Sequence, residues 1–263
     1  MSETIIIVLQ GGLGNQLFQY CAGLAMASRL GGQLWLTPTQ ENKHSARDYR
    51  QTLYTRAKAL SPETPRAPLS QQAGAYDPWD PIQYEGHTAI ALKGYYQFLH
   101  PIELHISKIR TDLDKALAHI RNDLQQKYQI KPAETCFLHV RRGDYLTQPP
   151  NTLCIQDESY YLPALQKIKL RQGRRRWLVL SDDIAWCRQQ RWLTQPPFEI
   201  VDEPDELAGL MLMRLCEGGA IISNSTYSWW GAMLGCSSAP VVYPSKWFTN
   251  KKPNLFPSEW LQA

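Results

Sequence analysis

Short, unbroken apolar runs recur along this chain, each followed by a polar turn and then by apolar positions three and four residues apart. Ile5 to Leu9 is the first run. It is continuous rather than alternating, as a strand buried on both faces of a parallel sheet should be. Gln10-Gly11-Gly12-Leu13-Gly14-Asn15-Gln16 is a glycine-rich turn. Leu17, Tyr20, Cys21, Leu24 and Ala27 then form one helical stripe. Gly31-Gly32 stops that helix, and Gln33 to Leu36 reads as a second strand. Thr37 to Tyr84 carries neither rhythm, and Pro62, Pro65, Pro68, Pro78 and Pro81 oppose long helices there. Leu92 to Phe98 is a candidate strand. Ile106, Ile109, Leu113, Leu117, Ile120 and Leu124 predict one long amphipathic helix from about Glu103 to Tyr128, ended by Pro132.

The second half repeats the succession. Cys136 to Val140, Trp177 to Leu180, Ala220 to Ser223 and Val241 to Tyr243 read as strands. Tyr160 to Lys169, a stretch through Cys187 to Trp192, Asp205 to Cys216 and a segment starting near Asn224 to Thr226 read as helices. This alternation predicts an α/β fold of two Rossmann-like domains, 1–132 and 133–263, facing a crevice. The expected boundary is Lys131-Pro132-Ala133-Glu134.

The whole chain, 263 residues with a net charge of +4, suits a soluble protein with an anionic small ligand. The charge is too diffuse for nucleic acid, which wants a basic patch with aromatic platforms. No apolar run approaches the roughly 18 residues of a bilayer span, and the start lacks the basic and apolar regions of a signal peptide. Cys21, Cys136, Cys154, Cys187, Cys216 and Cys236 form no CxxC pair and read as reduced core residues of a cytoplasmic protein. The run Lys167, Lys169, Arg171, Arg174, Arg175 and Arg176 is either a solvated helix end or a weak peripheral contact with an anionic membrane face.

Four strand-end loops carry the candidate chemistry. The first is the glycine turn, where Asn15 and Gln16 either approach a ligand or, for Asn15, merely cap the helix. It is not a dinucleotide fingerprint, because Leu17 replaces the third glycine and no acid follows the second strand. The second is His139-Val140-Arg141-Arg142-Gly143-Asp144-Tyr145. Its arginines suit phosphate, since a planar guanidinium donates paired hydrogen bonds; the plain alternative is a structural salt bridge to Asp144. The third is Ser181-Asp182-Asp183, either a helix cap at Ser181 or a reader of guanine or ribose. The fourth, Ser223-Asn224-Ser225-Thr226-Tyr227, brings small polar side chains to a helix N-terminus, a natural anion site. No metal motif, nucleophile elbow or Walker lysine is present.

Taken together, Gly11 to Tyr20, His139 to Tyr145 and Ser223-Asn224-Ser225-Thr226-Tyr227-Ser228-Trp229-Trp230-Gly231-Ala232 resemble the α-1,2-fucosyltransferases of glycosyltransferase family 11. Gly94-Tyr95-Tyr96-Gln97 and Pro244-Ser245-Lys246-Trp247-Phe248 are weaker blocks of the same resemblance. It covers essentially the whole chain. It implies a GT-B fold, a GDP-L-fucose donor, no cofactor or essential metal, inversion at the fucose anomeric carbon, and a galactose-terminated oligosaccharide or lipid-linked glycan as acceptor. Bacterial members build O-antigen or capsule repeats.

By the same resemblance, Arg141 binds the β-phosphate and the Ser225–Thr226–Tyr227 helix start holds phosphate oxygens from another side. Asp182 or Asp183 reads guanine or ribose. His139, Arg142, Asn15, Gln16 and Asn224 shape the site. Tyr95, Tyr96 and Trp247 are candidate platforms for the acceptor sugar, with core packing as the alternative. Asp144 is either the catalytic base or the residue that orients an arginine. The competing functions are a fucosyltransferase of another linkage or acceptor and a non-catalytic sugar-nucleotide-binding protein.

Overall fold

A strand with no polar face must be covered on both sides, and the first apolar run is placed accordingly. The computed structural model describes residues 4–38, 47–60, 69–72, 89–148, 153–172, 175–248 and 255–263. The chain divides into two compact units, Met1–Ala116 and Leu117–Ala263.

In the first unit the elements are β1 (Thr4–Val8), α1 (Leu13–Leu30), β2 (Gln33–Leu36), β3 (Lys58–Ala59), β4 (Leu69–Gln72), β5 (Ala89–Lys93) and α2 (Leu99–Ala116). The sheet runs β3-β2-β1-β5-β4, with every neighbouring pair parallel. Ile5 and Ile7 in β1, Leu34 and Leu36 in β2, and Ile90 and Leu92 in β5 are buried. Gly11, with φ 76°, makes the turn out of β1, and Gly31, with φ 62°, ends α1 by donating its backbone N–H to Ala27. The latter is the left-handed stop expected there. A β-carbon on Gly23 would meet Leu34 and Ile7 side chains at 2.6 and 2.7 Å, so this glycine lets α1 lie close on β1 and β2.

The second unit holds α3 (Ala118–Lys127), β6 (Thr135–Val140), α4 (Glu158–Gln172), β7 (Arg176–Ser181), α5 (Ile184–Gln189), β8 (Phe198–Ile200), α6 (Glu206–Leu215), β9 (Ala220–Ile221), α7 (Thr226–Gly235), β10 (Val241–Tyr243) and β11 (Leu261–Gln262). Its sheet is also parallel, in the order β11-β10-β9-β6-β7-β8. Counted from β6, this is the doubly wound order 3-2-1-4-5-6 read in reverse. Leu138, Val140, Val179, Ile221 and Val242 pack with Tyr160, Tyr161 and Leu165 of α4. Trp229 and Trp230 of α7 are fully buried.

Several expectations need correction. The single helix expected from Glu103 to Tyr128 is two, broken at Leu117, whose backbone (φ −107°, ψ 14°) is not helical. Helix α2 packs on α1, and α3 packs on α6. The apolar spacing continues across the break, so periodicity alone joins two helices of different units. The division therefore falls at 116/117, ahead of the boundary expected at Lys131–Glu134, because α3 goes with the second unit. Strand β5 ends at Lys93 rather than reaching Phe98, and α5 stops before Trp192. Strands β3, β4, β8 and β11 were not foreseen; three of them are two or three residues long, below what a periodicity detects. Of the prolines expected to break helices, Pro62, Pro65, Pro68, Pro78 and Pro81 lie outside the described residues.

Candidate active site

In an open parallel sheet, ligands bind beyond the carboxyl ends of the strands where the order reverses. In the second unit that point lies between β6 and β9. His139 of β6 and Ser223 after β9 meet there, Nδ1 to Oγ at 2.9 Å, and Ser223 Oγ lies 3.4 Å from Ser228 Oγ of α7. His139 is only 3% exposed. Burial, reinforced by the Arg141 charge, pushes its imidazole down to about 3, so it is neutral at physiological pH. Its backbone carbonyl accepts from the Tyr161 hydroxyl at 3.1 Å. His139 thus joins β6 to the start of α7 from within the core.

The two arginines leave β6 in different directions of use. Arg141 pairs with Asp144 at 2.6 Å and with Asp182 at 3.2 Å, and its guanidinium lies 5.5 Å from the Tyr145 ring centre. Arg142 pairs with Asp183 at 3.2 Å and stacks 4.3 Å over the Trp186 ring. Asp182 accepts the Arg142 backbone N–H at 2.9 Å. A β-carbon on Gly143 would overlap the Asp182 carboxylate, so a glycine is required for this approach. The helix cap expected at Ser181 is instead Asp183, which accepts the Trp186 N–H, while Ser181 Oγ accepts the Asp183 N–H. Asp182 and Asp183 are both engaged with the arginines and the backbone, with about a quarter of each side chain exposed.

Beside Arg141 stands the N-terminus of α7. Ser225 caps it, accepting from the Tyr227 N–H at 3.3 Å, and Thr226 is its first residue, half-buried. The Tyr145 hydroxyl donates to the Asn224 carbonyl at 2.8 Å, tying the arginine turn to this helix start. The Asn224 side chain is 2% exposed and donates to the carbonyls of Cys154 and Trp247 at 2.8 and 3.0 Å. Its amide nitrogen thus fastens two further loops. Tyr227 points its hydroxyl to the Glu206 carbonyl at 2.6 Å, across the space left by Gly209.

A second cluster lies in the first unit, where its sheet order reverses between β1 and β5. Asn15 is half-buried within α1 and accepts from Gln97 at 3.0 Å. It does not cap the helix, because Gly12 holds the cap position. Gln16 is fully buried and donates to the Gly11 carbonyl at 2.9 Å, so it builds the turn instead of reaching a ligand. Tyr95 is 39% exposed, whereas Tyr96, with φ 48°, and Trp247, which packs edge-on against Phe256, are buried. Of the three candidate sugar platforms, only Tyr95 presents an open face. Sequence reasoning gave no role to Tyr145, Trp186 or Gln97. Tyr145 was within the arginine motif, but the partners of Trp186 and Gln97 come from contacts far apart in sequence.

Chemically, a partly exposed guanidinium beside a helix N-terminus is a site for phosphate oxygens. Among the described residues, no group of three or more His, Cys, Asp or Glu is arranged to hold a metal, and no helix is long and apolar enough to cross a membrane. The six cysteines are free, and burial pushes the Cys136 and Cys187 thiols up to about 12 and about 11. From the basic run, Lys167 donates to the Gln262 carbonyl, Arg175 to Ala133, and Arg176 to Tyr128 and Glu199.

The sequence model of glycosyl transferase family 11 matches residues 1–262. The chain belongs to this family. Among relatives of this family 11 glycosyltransferase, the O-antigen biosynthesis glycosyltransferase WbnK of Escherichia coli is 28% identical, with 96% of this chain and 98% of the relative aligned. An α-1,2-colitosyltransferase of Escherichia coli is 23% identical over 98% of both chains. The mouse galactoside 2-α-L-fucosyltransferase Sec1 is 27% identical over 87% of this chain and 63% of its own length. Among solved structures, the fucosyltransferase NodZ from Bradyrhizobium superposes with a TM-score of 0.59 at 11% identity, covering 89% of this chain and 94% of NodZ. A second NodZ structure, an α-1,6-fucosyltransferase soaked with GDP-fucose, gives 0.53 at 13% identity, covering 89% and 93%. The fold class is GT-B, as expected.

Proposed function

We propose that this glycosyltransferase moves L-fucose from GDP-β-L-fucose to O2 of a terminal galactoside, with inversion and without a metal. The observation that carries the reading is the partly exposed Arg141 beside the N-terminus of α7, at the switch point of a doubly wound sheet. Negative charge grows on the diphosphate as the bond from C1 to oxygen breaks. Preorganised donors aimed at developing charge are the largest catalytic term in many enzymes. Arg141 meets the β-phosphate, and backbone N–H groups at Thr226 and beyond meet its oxygens from the other side. Diphosphate is a good leaving group, so no general acid is needed. The α-1,2 linkage and the galactoside acceptor draw support from the mouse relative, and an O-antigen glycan as acceptor from WbnK.

A colitosyl donor is the second reading, supported by the colitosyltransferase relative that aligns over nearly its full length. Colitose is the 3-deoxy counterpart of L-fucose, so the two donors differ at one hydroxyl. The deciding experiment offers GDP-fucose and GDP-colitose in turn with a β-galactoside, measures GDP release, and assigns the product linkage by NMR. Fucose transfer to O2 is the expected result. Release of GDP only from GDP-colitose selects the second reading, and another linkage removes the acceptor assignment. Binding of GDP without any product would leave a non-catalytic binder.

A further inference from the structure

The hydrogen-bond chain that joins His139 to α7 has a direction. Ser228 Oγ lies 3.2 Å from the Ser225 carbonyl oxygen, which can only accept, so the Ser228 hydroxyl donates there. With its proton spent, Ser228 Oγ can only accept from Ser223, 3.4 Å away. The Ser223 hydroxyl supplies that proton. Ser223 Oγ is then the acceptor for His139 Nδ1 at 2.9 Å. Run this way, the chain makes three hydrogen bonds and leaves the imidazole proton on Nδ1. In the opposite sense the Ser223 hydroxyl points at Nδ1, the two serine oxygens face each other with lone pairs alone, and the imidazole proton moves to Nε2. No acceptor among the described residues meets Nε2, and a buried N–H left unpaired is costly. Ser223 and Ser228 are completely buried, so bulk water does not compete along the chain.

We propose that Ser228 and Ser223 lock His139 as the Nδ1–H tautomer, and that its bare Nε2 accepts a hydrogen bond from a hydroxyl of the bound nucleotide sugar. This rests on the reading of the protein as a nucleotide-sugar transferase. The imidazole stands at the carboxyl end of β6, at the switch point. It is close enough to Arg141 for the guanidinium charge to act on it, and that charge and burial keep it neutral. A lone pair cannot serve a phosphate oxygen, itself an acceptor; that task stays with Arg141. It suits a hydroxyl, either of the ribose or of the transferred sugar. Ser223 and Ser228 are positioning residues, acting through the imidazole.

The tautomer is read directly from nitrogen chemical shifts. The protein is labelled with ¹⁵N-histidine, and the His139 signals are assigned by their absence from His139→Gln. At pH 7, Nδ1 should fall in the protonated, pyrrole-like range and Nε2 in the unprotonated, pyridine-like range. Ser228→Ala removes the end of the chain, frees the Ser223 hydroxyl to turn to Nδ1, and should move the imidazole toward Nε2–H. GDP and GDP-fucose are then titrated in turn. A shift of Nε2 with GDP assigns the ribose hydroxyls, and one seen only with GDP-fucose assigns the fucose. Ser228→Ala should weaken binding of that ligand about three- to tenfold, the scale of one hydrogen bond. Nε2–H in the wild type overturns the lock; so does an unchanged tautomer in Ser228→Ala that melts as the wild type does. Saturation by both ligands without a shift at Nε2 overturns the contact. A wild type that binds neither ligand sinks the nucleotide-sugar reading and the contact with it, a different result from a failed lock, which is read without ligand.

Discussion

Arg141 and Arg142 are neighbours with separate work, and substitution should part them. Arg142 is held by Asp183 and the Trp186 ring, so Arg142→Ala should lower the unfolding free energy by about 1 kcal/mol, read from urea denaturation. Arg141→Ala should keep its circular dichroism spectrum and lose about 10²- to 10³-fold or more in kcat; near wild-type turnover would remove the phosphate assignment. His139 makes a pH prediction. Its folded value, about 3, lies below the ordinary 6.5, so the unfolded chain binds the proton first. Its contribution to stability is complete above pH 6.5 and declines as pH falls toward 3, by up to about 1.4 kcal/mol per unit. Urea midpoints at pH 7 and 5 should show a smaller drop in His139→Gln than in the wild type. The residue types of the site were legible in sequence, because paired arginines and a Ser-Thr helix start have few other uses together. Their partners were not: nothing local distinguishes Trp247, buried, from Tyr95, open.

At the scale of elements, some helix starts and stops were written locally, while helix breaks and close approaches were not. Asp205, read as opening α6, caps it by accepting from Leu207 and Ala208 N–H groups. Leu117 gave no such sign, because an apolar residue in register looks the same inside a helix and between two. The packing of α6 against α7 depends on small residues. A β-carbon on Gly231 would meet the flexible Met213 side chain at 2.6 Å, whereas one on Gly235 would meet the Met213 and Arg214 backbone carbonyl oxygens at 2.9 and 3.0 Å. A side chain can move aside and a backbone cannot. Gly231→Ala should cost about 1 kcal/mol and Gly235→Ala about 2–3 kcal/mol. Chemical denaturation of the two variants gives the order directly, and equal costs would mean that α7 shifts as a body.

For the whole molecule, the proposed function, in which guanidinium and helix N–H groups would meet the diphosphate, predicts that exhaustive dialysis against EDTA leaves fucose transfer unchanged. Restoration by magnesium of activity lost on chelation would contradict it. The sequence by itself determined the two α/β halves, the longer apolar strands and most of the helices, and the residue types at the strand ends. Those follow from hydrophobic period, capping and turn chemistry, which act over a few residues. Only the tertiary structure decided that α3 belongs with the second unit, that β6 and β9 are neighbours, and that Arg141 is paired with Asp144 and Asp182 while His139 and Asn224 are internal ties. Sheet order and burial are set by contacts between segments 40 to 85 residues apart, as in His139 with Ser223 and Arg142 with Asp182; no local pattern encodes which apolar run lies beside which.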